Sequence, residues 1–190
     1  MNILITGVGG QGLIILKKIL SYAAIKEGFF FRASELHGLS QRGGSVSVHF
    51  RFGAKIDSPL ISYGEADLII GLDLLEAARA VNFSSSRTIF LVNNEFVPFF
   101  QLSSFTKDDF LKVVQPITKN NFIVDASKIC EEKLKSRVFE TIFLLGFAFS
   151  KKLIPFKENS LIFGIEKSVP PKFIKENIQA FNLPATIEKY

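Results

Sequence analysis

The chain has 190 residues, 47% of them hydrophobic, a net charge of +5 and one cysteine, Cys130. That apolar content supplies a full core and excludes disorder as a whole-chain description. A single thiol excludes a disulfide framework and a self-held iron–sulfur cluster, and two histidines, His37 and His49, do not complete a metal site.

Met1 to Thr6 is apolar but lacks a cationic lead-in or a long apolar continuation, so no signal peptide is expected. Asn2 to Thr6 predicts a buried strand. Gly7-Val8-Gly9-Gly10-Gln11-Gly12 is a glycine loop, and from Leu13 to Lys26 apolar residues recur at steps of three and four, giving one helix face that ends at Gly28. Phe29 to Ala33 predicts a second strand, so the unit begins a parallel α/β layer. Ser34 to Gly44 is polar, aperiodic and glycine-rich, and predicts a long loop of the kind that carries function. Ser45 to Phe52 alternates as a strand, with Val46, Val48, Phe50 and Phe52 on one face and His49 with Arg51 on the polar face. Lys55 to Ile61 is expected to continue that sheet's edge.

Strands are further predicted over Asp67–Leu72, Arg87–Val92 and Phe122–Val124. Helices are predicted over Leu74–Val81, Asp108–Val114, Ala126–Lys135, Val138–Leu153, Glu158–Lys167 and Pro171–Phe181, with prolines 155, 170 and 171 at their boundaries. Val138–Leu153 is too short and, with Glu140, Lys151 and Lys152, too charged to span a bilayer. Basic residues form no dense run, so nucleic acid is not an expected partner. The expectation is a cytoplasmic, single-domain α/β chain over residues 1–190, Rossmann-like and three-layered, with a mostly parallel sheet and a helical C-terminal end.

Gly7, Gly9 and Gly12 satisfy G-x-G-x-x-G directly after a strand and at the mouth of a helix, where backbone N–H groups and the helix dipole favour a phosphate. The acidic residue that a dinucleotide site wants about 20 positions on is absent. Arg32 lies near that spot and Glu35 comes late. The alternatives are a dinucleotide-binding oxidoreductase, a close-packed turn in an interaction module without ligand, or a turn that Gln11 ties to the Glu35–Gly44 segment. Asp73 reads as a helix N-cap and Cys130 as a small buried residue. Part of Phe29-Phe30-Phe31 and Phe99-Phe100 is expected to be covered by another protein.

Two segments together, Gly7-Val8-Gly9-Gly10-Gln11-Gly12 and Glu35-Leu36-His37-Gly38-Leu39-Ser40-Gln41-Arg42-Gly43-Gly44, resemble the gamma-type subunit of 2-oxoacid:ferredoxin oxidoreductases, and the His-Gly-x-x-Gln-Arg-Gly-Gly form most resembles the small subunit of the indolepyruvate type. Glu65-Ala66-Asp67 and Gly71-Leu72-Asp73-Leu74-Leu75-Glu76-Ala77 extend the likeness, as does the last helix around Glu176–Phe181. The resemblance implies oxidative decarboxylation of a 2-oxoacid to acyl-CoA with reduction of ferredoxin. It places thiamine diphosphate, Mg and [4Fe–4S] clusters on a large catalytic partner subunit, through which ferredoxin is reached, with coenzyme A as co-substrate. No cofactor is then bound by this chain alone, which is expected to be inactive without its partner. The implied interface or ligand-facing residues are Gly7, Gly9, Gly10, Gln11, Gly12, Glu35, His37, Gln41, Arg42, Gly43 and Gly44. Arg42, a planar fork of donors between Gln41 and two glycines, is the first candidate for an anionic group. Its bland alternative is a local ion pair with Glu35. Where the family often carries an Asn near the start of the Leu-Gly stretch, this chain has Glu140 and Thr141 before Leu145-Gly146, and no polar role is assigned there.

Overall fold

The computed structural model describes residues 1–38, 43–98 and 103–187. Its centre is a six-stranded sheet in the order β2-β3-β1-β4-β5-β6. The strands are β1 (Asn2–Val8), β2 (Phe30–His37), β3 (Ser45–Gly53), β4 (Leu68–Gly71), β5 (Ile89–Asn93) and β6 (Asn121–Val124). β1, β4, β5 and β6 pair in parallel, whereas β3 lies antiparallel to both β1 and β2. Five strands therefore run one way and β3 alone runs back.

The period-2 pattern sorts the side chains into two layers. Ile3, Ile5, Val48, Phe50, Leu68 and Ile70 face one core, shared with α1 (Leu13–Lys26) and the later helices, while Leu4, Ile69, Phe90 and Val92 face a smaller second core. α2 (Leu74–Arg79) and α3 (Lys107–Val114) cover that second face. The first face also takes α4 (Ala126–Leu134) and α5 (Glu140–Ser150), the latter buried almost throughout, and then α6 (Glu158–Ser168) and α7 (Ile174–Asn182). The three-layer expectation and the helical C-terminal end are as observed. The Val138–Leu153 and Pro171–Phe181 helices each begin as a short 3-10 turn, over Arg137–Phe139 and Pro171–Phe173.

Three expectations need correction. Residues 34–37 are not loop: β2 runs on to His37, because Ser34, Glu35, Leu36 and His37 pair with His49, Val48, Ser47 and Val46. The ladder supplies backbone partners that an aperiodic side-chain pattern does not announce. β1 and β2 do run the same way, as the parallel unit requires, with β3 inserted between them. Lys55–Ile61 is not a strand. Instead Arg51 holds it by donating to the carbonyls of Ser58 and Leu60 at 3.1 and 2.9 Å, and Ile61 N–H donates to His49 Nδ1 at 3.0 Å. His49 is accordingly buried at 2% exposure, edge-on to Phe83, rather than on a solvated face. Phe29 and Phe31 pack into the aromatic core with Phe52 and Phe50, leaving Phe30 at 68% exposure as the one of the three that remains outside. Phe99 and Phe100 lie outside the described residues.

Candidate functional site

The carboxyl ends of β1, β4 and β5 converge where the strand connections change direction, which in open α/β sheets is the place where ligands and partners are met. The glycine turn sits there. Gly12 caps α1 at φ +89, in the left-handed region that a side chain strains to adopt. A Cβ at Gly7 would come within 2.8 Å of Gln11 Oε1 and 3.0 Å of Leu72 Cβ. The glycine pattern thus serves close packing first.

Gln11 folds back over the turn. Its Oε1 accepts from Val8 N–H at 2.7 Å and its Nε2 donates to the Leu72 carbonyl at 3.2 Å, so one side chain ties the ends of β1 and β4. It makes no bond to the Glu35–Gly44 segment among the described residues. The backbone makes that tie: Gly9 N–H donates to Gly44 O at 2.9 Å, and Gly43 N–H to Gly9 O at 3.3 Å. Thr141, at the start of α5, donates its hydroxyl to Gln11 O at 2.5 Å. Both residues of the Glu140-Thr141 departure therefore hold polar roles that the sequence did not reveal, because the contact spans 130 residues of chain.

Glu140 belongs to a directed chain of hydrogen bonds. Ser127 N–H donates to Asn93 Oδ1 at 3.3 Å, and Asn93 Nδ2 donates to Ser127 Oγ at 2.7 Å. Ser127's single proton must then point to Glu140 Oε2, 2.5 Å away. Burial pushes the Glu140 carboxyl above the usual carboxylate range, against the pull of Ser127 and Arg137. Asp73 caps α2 as expected, accepting from Leu75 and Glu76 N–H at 2.8 and 3.0 Å and also from Val97 N–H at 2.7 Å.

Two cavities flank the turn. One, of about 340 Å³, lies between Gly10–Gly12, Phe139–Ile142 and the Val169–Phe173 segment. The other lies between the turn and the end of β2, where Glu35 and His37 line it. Glu35 is ion-paired with Lys17 of α1, so its carboxylate is engaged on this side. His37 is exposed at the strand's tip. Gln41 and Arg42 lie outside the described residues.

The position beside the turn that a dinucleotide fold gives to a parallel second strand is held here by antiparallel β3, entering with Ser45 and Val46. The carboxylates near it are already engaged, Glu35 by Lys17 and Glu76 by Ser45 and Arg79. The described residues fit neither a thiolate-held cluster nor a resident metal ion. Cys130 is fully buried in α4 with its thiol pushed up to about 12, and the described residues contain no group of three or more His, Cys, Asp or Glu suited to a metal. No helix of the described residues is long and apolar enough to cross a membrane.

Fold and site together describe a Rossmann-like α/β subunit whose edge is finished by backbone ties rather than by catalytic side chains. Residues 2–186 match the family model described as pyruvate ferredoxin/flavodoxin oxidoreductase. The chain is 34% identical over 188 residues to the indolepyruvate oxidoreductase subunit IorB of Thermococcus kodakarensis, covering 96% of this chain and 93% of that one. The IorB of Pyrococcus horikoshii is 31% identical with the same coverage. A keto/oxoacid ferredoxin oxidoreductase gamma subunit from Geobacter sulfurreducens PCA superposes with a TM-score of 0.69 at 19% identity, covering 96% of this chain and 95% of that one. The chain belongs to the pyruvate ferredoxin/flavodoxin oxidoreductase family, as a small gamma-type subunit of a 2-oxoacid:ferredoxin oxidoreductase.

Proposed function

We propose that this chain is the accessory subunit of a complex that oxidatively decarboxylates aryl 2-oxoacids of the indolepyruvate kind. The 2-oxoacid loses CO2, its acyl carbon passes to the coenzyme A thiol, and the electrons released reduce ferredoxin. Thiamine diphosphate with its Mg ion supplies the carbanion chemistry and [4Fe–4S] clusters carry the electrons, both on the large catalytic subunit. The observation that carries the reading is the match to IorB along nearly the whole chain.

In this reading the catalytic subunit contacts the turn's outer side and the tips of β2 and β3, through Gly9, Gly10, Glu35, His37, Gly43 and Gly44. Gln41 and Arg42 lie outside the described residues; the reading gives the Arg42 guanidinium an anionic group to bind, either a CoA phosphate or the substrate carboxylate. Glu35 Oε1 is already paired with Lys17, which supports keeping Arg42 for an external anion rather than for Glu35.

The test is co-expression with the large subunit. The complex should reduce ferredoxin with indolepyruvate and CoA, faster than with pyruvate, while the isolated chain turns over neither. Tight NAD(P) or flavin binding by the isolated chain would overturn the reading in favour of a dinucleotide enzyme. In the complex, Arg42→Lys should raise KM for CoA or for the 2-oxoacid by about tenfold, since lysine keeps the charge but loses the fork. Unchanged KM for both removes Arg42 from the site.

A further inference from the structure

The cavity between the glycine turn, the start of α5 and the Val169–Phe173 segment shares only Gly10 with the surface that the subunit reading uses. Its walls are mostly apolar. Val138 at 75% exposure, Phe173 at 43% and Ile15 at 39% stand at its rim, an unusual concentration of large apolar side chains in solvent. Its volume of about 340 Å³ suits a bicyclic ring.

Two polar side chains on its wall each keep an acceptor that no described residue fills. Asn177 is buried at 7% exposure. Its Nδ2 donates to Phe173 O at 2.7 Å, and because a carbonyl only accepts, this bond fixes the amide and leaves Oδ1 as the second acceptor. Glu140 has its Oε2 engaged by Ser127 and Asn93, while Oε1 takes no hydrogen bond from the described residues. Burial raises the carboxyl's pKa, so its anion is under-solvated and gains from a donor. A cavity with apolar walls and spare acceptors selects a ligand with an apolar body and a hydrogen-bond donor.

We propose that this cavity binds a small, flat, apolar ring carrying an N–H group, with Glu140 Oε1 and Asn177 Oδ1 as the acceptors. The proposal is independent of which 2-oxoacid the complex uses.

The directed chain Asn93–Ser127–Glu140 makes the idea sharply testable. In Glu140→Gln the Ser127 proton still needs an acceptor, so the amide oxygen must turn to Ser127 and its NH2 must face the cavity. The acceptor becomes a donor. Indole and benzofuran, isosteres that differ in N–H against O, are the probes, measured by calorimetry on the full chain and on its complex with the catalytic subunit. The unmodified chain should bind indole about tenfold or more tightly than benzofuran. Glu140→Gln should erase or reverse that order. Ile15→Trp, a change at an exposed rim position, should block both probes, which keeps the test alive if Glu140→Gln folds poorly. Equal binding of the two probes, an unchanged order in Glu140→Gln, or disappearance of the site on assembly with the catalytic subunit would each overturn the proposal.

Discussion

The glycine turn and the tip of the β2–β3 hairpin lie on either side of one cavity, yet they are built on opposite plans. In the turn, the chain consumes its own polar groups: Gln11 takes Val8 N–H and Leu72 O, Gly9 exchanges bonds with Gly43 and Gly44, and Thr141 takes Gln11 O. At the tip, Leu36 is 45% exposed, His37 is exposed, and Glu35 is held by one partly exposed ion pair. A G-x-G-x-x-G turn that holds a phosphate leaves its N–H groups free for it. This one spends several of them on its own chain. The difference teaches that glycine spacing here encodes a tight junction, while the capacity to recognise another molecule is carried by the neighbouring strand ends and cavities.

The strongest way to break that comparison is Gln11→Ala. It removes two hydrogen bonds, leaving Val8 N–H without its side-chain acceptor and Leu72 O with only the long 3.5 Å bond from Asn93 Nδ2, at a cost of about 2–4 kcal/mol in denaturant unfolding. Gln11→Glu should fall in between, since a carboxylate still accepts from Val8 N–H but cannot donate to Leu72 O. A loss under about 0.5 kcal/mol for Gln11→Ala would mean that the turn is held by something else and that its polar atoms are available to a ligand.

Much of this architecture was readable from period and punctuation. α1 spans Leu13–Lys26 as its three-and-four spacing predicts, and β3 follows its alternation. What escaped had a common cause, dependence on partners distant in sequence. Residues 34–37 become strand only because β3 offers a ladder, and His49 becomes buried only because Ile61 and Phe83 close over it. The site was legible as two segments but not as a construction: Glu140, Thr141, Asn93 and Ser127 carry no local motif, and α5 brings two of them to the turn from the far end of the chain. Polar residues at helix starts that follow strand ends were the signal available, and Asp73 was recognised by it while Ser127, in the first turn of α4 after β6, was not.

A second, smaller effect separates the two faces of the sheet by pH. His49 Nδ1 accepts from Ile61 N–H, so its proton sits on Nε2, which is buried without a partner among the described residues. Burial lowers the His49 pKa below its usual 6.5. A depressed base favours folding above the unfolded-state pKa, and that contribution is lost as pH falls from 6.5 through the folded value. Stability of the full chain should therefore decline over this acid window by up to one proton's slope. His49→Asn, which can still offer Ile61 an acceptor, should flatten that part of the profile whatever it does to stability at neutral pH. A slope unchanged in His49→Asn would assign the decline to other groups.

The smallest stability effect should come from the tip, and it sharpens the contrast most. Lys17 and Glu35 form a pair whose side chains are 24% and 30% exposed, open enough for solvent to screen it. Lys17→Ala should cost the isolated chain less than about 1 kcal/mol. The same change releases the Glu35 carboxylate from α1 and lets it swing at the edge that the catalytic subunit is proposed to meet. The cost should then appear in assembly, as a several-fold weaker association with the large subunit in titrations at fixed salt. The double comparison decides the matter: Gln11→Ala should lower stability and leave the association of the surviving folded chain nearly intact, and Lys17→Ala should do the reverse. If Lys17→Ala weakens folding as much as Gln11→Ala does and leaves assembly untouched, the hairpin tip is part of the fold's own scaffolding and the recognition surface lies elsewhere on the chain.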